Sequence, residues 1–230
     1  MKLLKVILMG ILSVTSAFTI NRRNFVYHAP AILSVSFNSN SESESDNTEP
    51  TYLQEDTNKI YFYGPVTPQS CFMLRAKINE LTYKSNKYAY IYETQPFPIH
   101  LHIQSGGGSL FSTIYLVDLI RNHDKTVPIY TFVDGFAASA ATLISVVGAK
   151  RYMTKNSLML IHQLSAPTEN GKYAELQDQM HNMDSLMRII INVYKENTNI
   201  TDEDLMYLLQ KDIWLNSTEC LKYGLVDEII

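Results

Sequence analysis

Hydrophobic and polar positions follow two rhythms along the chain. Ile60–Tyr63 is a short β-rich run closed by Gly64-Pro65. Thr67 then reads as a helix N-cap with Pro68 at the first helical position, where the missing N–H has no helical partner to lose. Cys71, Leu74, Ile78 and Leu81 recur at steps of three and four, the period of a helix that buries one face. Tyr83–Pro98 is aromatic and irregular, and is expected to be a surface insertion. Ile99–Ile103 predicts the next strand, and Ser109–Asn122 the next helix. Val127–Val133 predicts a buried strand. Asp134-Gly135 is expected to turn it into an Ala-rich helix over 137–148. Lys150–Met153 and Leu158–His162 read as strands flanking a Thr-Lys-Asn-Ser turn.

A long amphipathic helix is predicted over Tyr173–Asn197, where Leu176, Met180, Met183, Met187, Ile190 and Tyr194 keep the helical period. Thr201 with Asp204 predicts a capping box that opens a helix reaching Gln210. Ile213–Leu215 reads as a short strand. Asn216 with Glu219 caps a last helix, which Gly224 ends. Strands and helices alternating in this way predict an α/β domain containing parallel strands. There is no internal repeat.

Composition adds a division that the periodicity hides. The chain has 230 residues, 19 basic and 23 acidic, for a net charge of −4. Residues 1–41 hold no acid, and their basic residues are Lys2, Lys5, Arg22 and Arg23. Without those four the chain carries 15 basic residues against 23 acidic, a net −8. Lys2 and Lys5 precede the apolar run Val6–Ala17, whose 12 residues fall short of the roughly 20 that span a bilayer. Thr15, Ser16 and Ala17 offer a signal-peptidase site before Phe18, and residues 18–40 have the Ser- and Asn-rich, acid-free composition of a transit peptide. A signal-like segment (1–17) followed by a transit-like segment (18–40) resembles the bipartite presequences of algae with secondary plastids. Secretion and a mitochondrial address are the alternatives. Residues 41–58 form an acidic polar linker with nothing to bury, so the folded domain is expected to span 59–230. The acidity gives no electrostatic footprint for nucleic acid. Two cysteines, Cys71 and Cys220, exclude a disulfide-built scaffold and a four-cysteine zinc site.

Three segments carry candidate chemistry. In Gly135-Phe136-Ala137-Ala138-Ser139-Ala140 a serine sits among small residues at a strand-to-helix junction, where a helix N-terminus favours developing negative charge. The placement shares the logic of a nucleophile elbow without its G-x-S-x-G sequence. Taken alone, such a serine packs or caps. His162 ends an apolar strand, where a structural role is the ordinary one. Asp212 lies between a helix and a strand, with Asp134, Asp184 and Asp227 as rivals. No spacing rule joins the three, because triads are defined in space. Gly106-Gly107-Gly108 follows a strand and precedes a helix. It suits either a phosphate cradle, although G-x-G-x-x-G and a following Gly-Lys-Ser/Thr are both missing, or a loop aiming a backbone N–H at an oxyanion. His100 and His102 form an H-x-H pair opposite Ile99, Leu101 and Ile103, which reads as a polar strand face rather than a metal site.

Over residues 59–230 the sequence resembles the Clp protease proteolytic subunit family. IQSGGG (103–108) is similar to its I-N-S-P-G-G, and GFAASA (135–140) to its G-x-A-A-S-M. LMLIHQ (158–163) is similar to the segment with its histidine. DIWLNSTECLKYGLVDEI (212–229) is similar to its C-terminal Asp-aromatic-Leu and E-x-x-x-Y-G-L-V-D stretch. Four motifs in the family's order and spacing are specific together. The resemblance implies an α/β fold of repeated β-α-β units in a crotonase-like superhelix, with 173–197 as a protruding handle. It implies Ser139 as nucleophile, His162 as general base, Asp212 as its orienting carboxylate, and the N–H groups of Gly107 and Ala140 as the oxyanion hole. It further implies cleavage of unfolded polypeptides through an acyl-enzyme, with substrate lying as an added strand near Ser165–Tyr173. Homo- or hetero-oligomeric seven-membered double rings and an AAA+ Clp-type ATPase partner follow. No metal and no cofactor in this chain is expected, ATP being used by the partner, and no stable membrane span in the mature form.

The chain departs from the family at several points. Gly106 replaces a proline, Ala140 a methionine and Leu164 a proline. Gln210-Lys211 stands where an acid and an arginine are common, and lysine does not reproduce a bidentate arginine. The axial segment before the domain has little counterpart in 42–58. These departures keep open a weakly active or structural subunit of a mixed ring. An acyl-CoA enzyme of the crotonase-like fold would also use oxyanion glycines, but would leave the triad unexplained.

Overall fold

A computed structural model of the chain describes residues 58–165 and 171–230. The signal-like and transit-like segments, the linker up to 57, and residues 166–170 of the expected substrate strand lie outside the described residues.

Four parallel strands form the platform: β1 (Lys59–Tyr63), β2 (Ile99–Ser105), β3 (Ile129–Ala138) and β4 (Lys150–Met153). Helices α1 (Pro68–Tyr92), α2 (Leu110–Arg121) and α3 (Ala140–Val146) make the crossovers between successive neighbours, so β-α-β is the repeating unit. The alternating residues Ile60, Phe62, Ile99, Leu101, Ile103, Ile129 and Val133 face those helices and are essentially inaccessible. β7 (Glu228–Ile229) adds to the free edge of β4. β5 (Leu158–Leu160) pairs in parallel with the far half of β3, and β6 (Trp214–Asn216) pairs antiparallel with β5. The long α4 (Tyr173–Asn197), then α5 (Asp202–Leu209) and α6 (Ser217–Lys222), complete the fold.

α1 corrects the sequence expectation. Thr67 Oγ1 accepts from Ser70 N and Ser70 Oγ from Thr67 N, as a capping box, with Pro68 inside the first turn. The helix then runs 25 residues and absorbs most of the aromatic stretch expected to be an insertion. Ser85 and Ala89 carry the buried stripe onward from Leu81 with small side chains, so the pattern persists without an apolar signal. Tyr83, Tyr90, Ile91 and Tyr92 point outward, and Glu93, in left-handed conformation, ends the helix.

β3 corrects it again. Asp134-Gly135 is a bulge, not a turn. Ile103 pairs with Val133 and Ser105 with Ala137, so β3 carries extra residues there. Gly135 takes φ +78, a conformation that favours glycine, and donates its N–H to Ser157 Oγ at 2.8 Å. The strand thereby continues to Ala138. Its first half pairs with β4 and its second half with β5, and the turn into α3 moves to Ser139. On the far face of the sheet Tyr61, His102, Phe132 and Tyr152 stack ring upon ring at 4.7 Å across β1 to β4. That is where His100 and His102 lie. The predicted polar face is an aromatic one, with His102 Nδ1 2.8 Å from Asp134.

Candidate active site

Ser139 joins β3 to α3 with φ 54 and ψ −129, outside the regions a serine ordinarily occupies. Such backbone costs about 1–3 kcal/mol and persists only where its surroundings hold it. Here its N–H donates to Leu160 O at 2.9 Å, tying it to β5, and its carbonyl accepts from Thr142 N at 3.0 Å. The turn lifts the side chain out of the sheet into an open cleft lined by Gly108, Leu110, Ala140, His162 and Leu164, with Tyr194 behind.

The glycine loop is built for close approach. A Cβ on Gly107 would meet Ala138 O and Ser139 Cβ at 2.8 Å and Ala140 N at 2.9 Å. A Cβ on Gly108 would strike Val66 O. Both have positive φ. Gly107 O accepts from Val66 N, and the Gly107 N–H turns to Ser105 Oγ at 3.1 Å. The Gly108 N–H donates to no group among the described residues, and Gly108 is the glycine of the three that lines the cleft. Its significance depends on φ values that three identical letters do not display.

His162 follows β5 and the buried Ile161. The next residues are pinned on both sides: Gln163 N donates to Leu209 O at 2.7 Å, and Leu164 N lies 3.3 Å from Met187 Sδ. Leu209 ends α5, and Asp212 is three residues on. Its Oδ1 stands 3.6 Å from His162 Nδ1. The rival carboxylates are elsewhere. Asp134 pairs with His102 and Tyr63 on the far sheet face, Asp227 binds Arg151, and Asp184 is exposed on α4. Ser139, His162 and Ala140 therefore share one cleft, Asp212 stands behind His162, and Gly107 packs beneath the serine.

The comparisons decide the family. The sequence matches the family model described as Clp protease over residues 72–230. The chain belongs to the Clp protease family. It is 30% identical over 179 residues to the ATP-dependent Clp protease proteolytic subunit 1 of Chlamydia trachomatis serovar D, covering 76% of this chain and 87% of that protein. It is 32% identical over 135 residues to the corresponding subunit of Streptococcus mutans, covering 57% of this chain and 68% of that one. Among solved structures, a ClpP1 variant from Listeria monocytogenes superposes with a TM-score of 0.63 at 22% identity, over 75% of this chain and 91% of that chain. The parallel β-α-β platform of β1 to β4 is the Clp protease fold. The chain is thus a proteolytic subunit of Clp type, a hydrolase of the serine peptidase class, and the crotonase-type alternative falls away.

Electrostatics separate the two sheet faces. Burial pushes the Asp134 carboxyl up, but hydrogen bonds from His102 and Tyr63 outweigh it and leave the group below the usual carboxylate range. Tyr63 is pushed well above its ordinary range, by burial first and by Asp134 second. Burial also raises both thiols, Cys71 to about 11 and Cys220 to about 12, which leaves them protonated and poor nucleophiles. Among the described residues no cluster of three or more His, Cys, Asp or Glu is arranged to hold a metal, and no helix is long and apolar enough to cross a membrane.

Proposed function

We propose that Ser139 is the nucleophile of an endopeptidase that cleaves unfolded polypeptides delivered by a ring ATPase. The reading is carried by Ser139 on its strained elbow, in one cleft with His162, with Asp212 behind the imidazole. Ser139 Oγ attacks the peptide carbonyl as His162 takes its proton. Asp212 holds the imidazole tautomer and stabilises the imidazolium. The oxyanion settles against the Ala140 N–H, at the open start of α3. For the second donor we assign Gly108 rather than Gly107, because the Gly107 N–H is already engaged by Ser105 Oγ. His162 then passes its proton to the departing amine. Water, deprotonated by His162, releases the acyl group and restores Ser139.

The remaining parts of the reading rest on the resemblance and the leader. Homo- or hetero-oligomeric double rings would meet through α4, whose Tyr173 and Met180 are exposed in a single protomer. An AAA+ ATPase would supply unfolded chain, which would lie as an added strand before α4. The acid-free leader directs the precursor to a plastid, with mitochondrion and secretory pathway as alternatives. A second reading, a weakly active ring subunit, draws on the exposure of Asp212 and on Gln210-Lys211.

Purification of the native complex followed by fluorophosphonate labelling and mass spectrometry tests these points together. The expected result is a ring-sized assembly from plastids, labelled on Ser139, with an ATPase among its partners. A Ser139 that stays unlabelled in every assembled state excludes the active-subunit reading.

A further inference from the structure

The cleft holds a hydrogen-bond chain that neither the triad nor the oxyanion loop includes. Thr142 is fully buried in the first turn of α3, and Tyr194 is 2% exposed near the end of α4. Thr142 Oγ1 donates to Ser139 O at 2.5 Å. That uses the hydroxyl's single proton, so in the 2.6 Å contact between Thr142 Oγ1 and Tyr194 Oη the phenol must donate. The chain runs Tyr194 Oη–H to Thr142 Oγ1–H to Ser139 O, and it joins α4 to the carbonyl of the nucleophile.

That carbonyl belongs to the same planar trans peptide as the Ala140 N–H, and the two point in opposite directions. Holding Ser139 O therefore aims the Ala140 N–H. Ser139 needs such a hold, because its φ of 54 and ψ of −129 are not a resting conformation for serine. The Thr142 N–H alone does not specify it, since that N–H would meet the carbonyl at any turn opening a helix.

We propose that Thr142 and Tyr194 are positioning residues that orient the Ser139–Ala140 peptide, and with it the oxyanion donor, and so couple the base of α4 to the catalytic turn. The inference rests on Ser139 being the nucleophile. Both hydroxyl protons are used within the chain, so neither is free to donate to a substrate. Their contribution is to the transition state, where the oxyanion forms, and not to substrate binding.

The test compares Thr142→Val, Thr142→Ser, Tyr194→Phe and the double variant Thr142→Val/Tyr194→Phe as assembled enzyme hydrolysing a fluorogenic peptide. Thr142→Val should lower kcat about tenfold to a hundredfold with KM within about twofold of wild type, the pattern of a misaimed oxyanion donor. Thr142→Ser, which keeps the hydroxyl, should restore most of the rate. Tyr194→Phe should lower kcat by a smaller factor, and the double variant should be no slower than Thr142→Val, because the two hydroxyls act in series. Equal kcat for Thr142→Val and wild type, or a loss that tracks only a lowered Tm and is not rescued by serine, overturns the inference. Ser139→Ala is run alongside as the separate control. If it retains wild-type activity, the proteolytic reading itself fails, whatever Thr142 does.

Discussion

His162 Nδ1 and Asp212 Oδ1 stand 3.6 Å apart in the single protomer, within ion-pair reach and beyond a hydrogen bond. His162 is set by β5, and Asp212 hangs from the end of α5 with 81% of its side chain exposed. A carboxylate so exposed is screened by water and orients the imidazole weakly. A neighbouring surface that covers Asp212 would both shorten and strengthen the contact.

With Asp212 covered in the assembled enzyme, Asp212→Asn should lower kcat by about a thousandfold or more, with KM little changed, because an amide favours the wrong tautomer of His162. Steady-state hydrolysis of a fluorogenic peptide measures both. A loss of only a few-fold would mean that another group orients His162.

Gly107→Ala should disable the site without emptying the core. Its Cβ would lie 2.8 Å from Ser139 Cβ and Ala138 O, at a φ of +94 that alanine resists. The loop or the nucleophile must move, and a displacement of about 1 Å is enough to cost about a hundredfold in kcat. Gly106→Ala, with nothing within 4 Å of the added methyl, is the control and should stay near wild type.

Arg151 gathers the C-terminal half. It bonds the carboxylate of Asp227, the carbonyl of Gly224 at 2.7 Å and the carbonyl of Asn197 at the end of α4. Arg151→Met should lower stability by about 2–3 kcal/mol, since it strips several charge-assisted bonds at once. The fall in Tm should be about 5–10 °C for a domain of this size, measured by calorimetry. Arg151→Lys should recover little of it, because a lysine cannot fork to three acceptors in fixed geometry.

The Asp134 pair predicts an acid limb. Its folded-state pKa is depressed, so the stabilisation is present above the ordinary carboxylate value of about 3.9 and is lost as pH falls through the lower native value. His102, Tyr63 and Lys59 are the titratable groups that act on Asp134. Asp134→Asn should flatten the pH dependence of Tm below about pH 4. An unchanged acid limb would show that the pair contributes nothing to it.

Both thiols should be silent. Cys71 and Cys220 are 2% and 0% exposed, with pKa values raised to about 11 and about 12. Native enzyme should not react with an aromatic disulfide reagent at neutral pH, and should do so only after unfolding. Fast reaction of the native form would contradict the burial of both side chains.

Features written in local chemistry were legible from sequence. Thr67-Pro68 and Asn216 with Glu219 announce helix starts through side chains that reach only three residues, and α4 keeps its period over its whole predicted span. The end of α1 was not legible, because Ser85 and Ala89 bury a stripe with residues that carry no apolar signal. Asp134-Gly135 looks like a turn in one dimension. Pairing of β3 with β2 and β5 on the C-terminal side of Gly135 makes it a bulge, and that pairing is non-local. Ser139, His162 and Asp212 stand out only through the family motifs; by local sequence Asp212 has Asp134, Asp184 and Asp227 as rivals, and only the places the chain gives them separate the four. The Tyr194–Thr142–Ser139 chain spans 52 residues between its first two members, and no spacing rule reveals it.

The most direct measurement is peptide hydrolysis by the assembled enzyme with and without the Ser139 hydroxyl. Ser139→Ala should assemble as wild type does and lose essentially all turnover, leaving at most the residual rate of binding and oxyanion stabilisation, several orders of magnitude below wild type. Turnover by Ser139→Ala within tenfold of wild type, in a preparation free of other active subunits, would contradict the assignment of Ser139 as nucleophile.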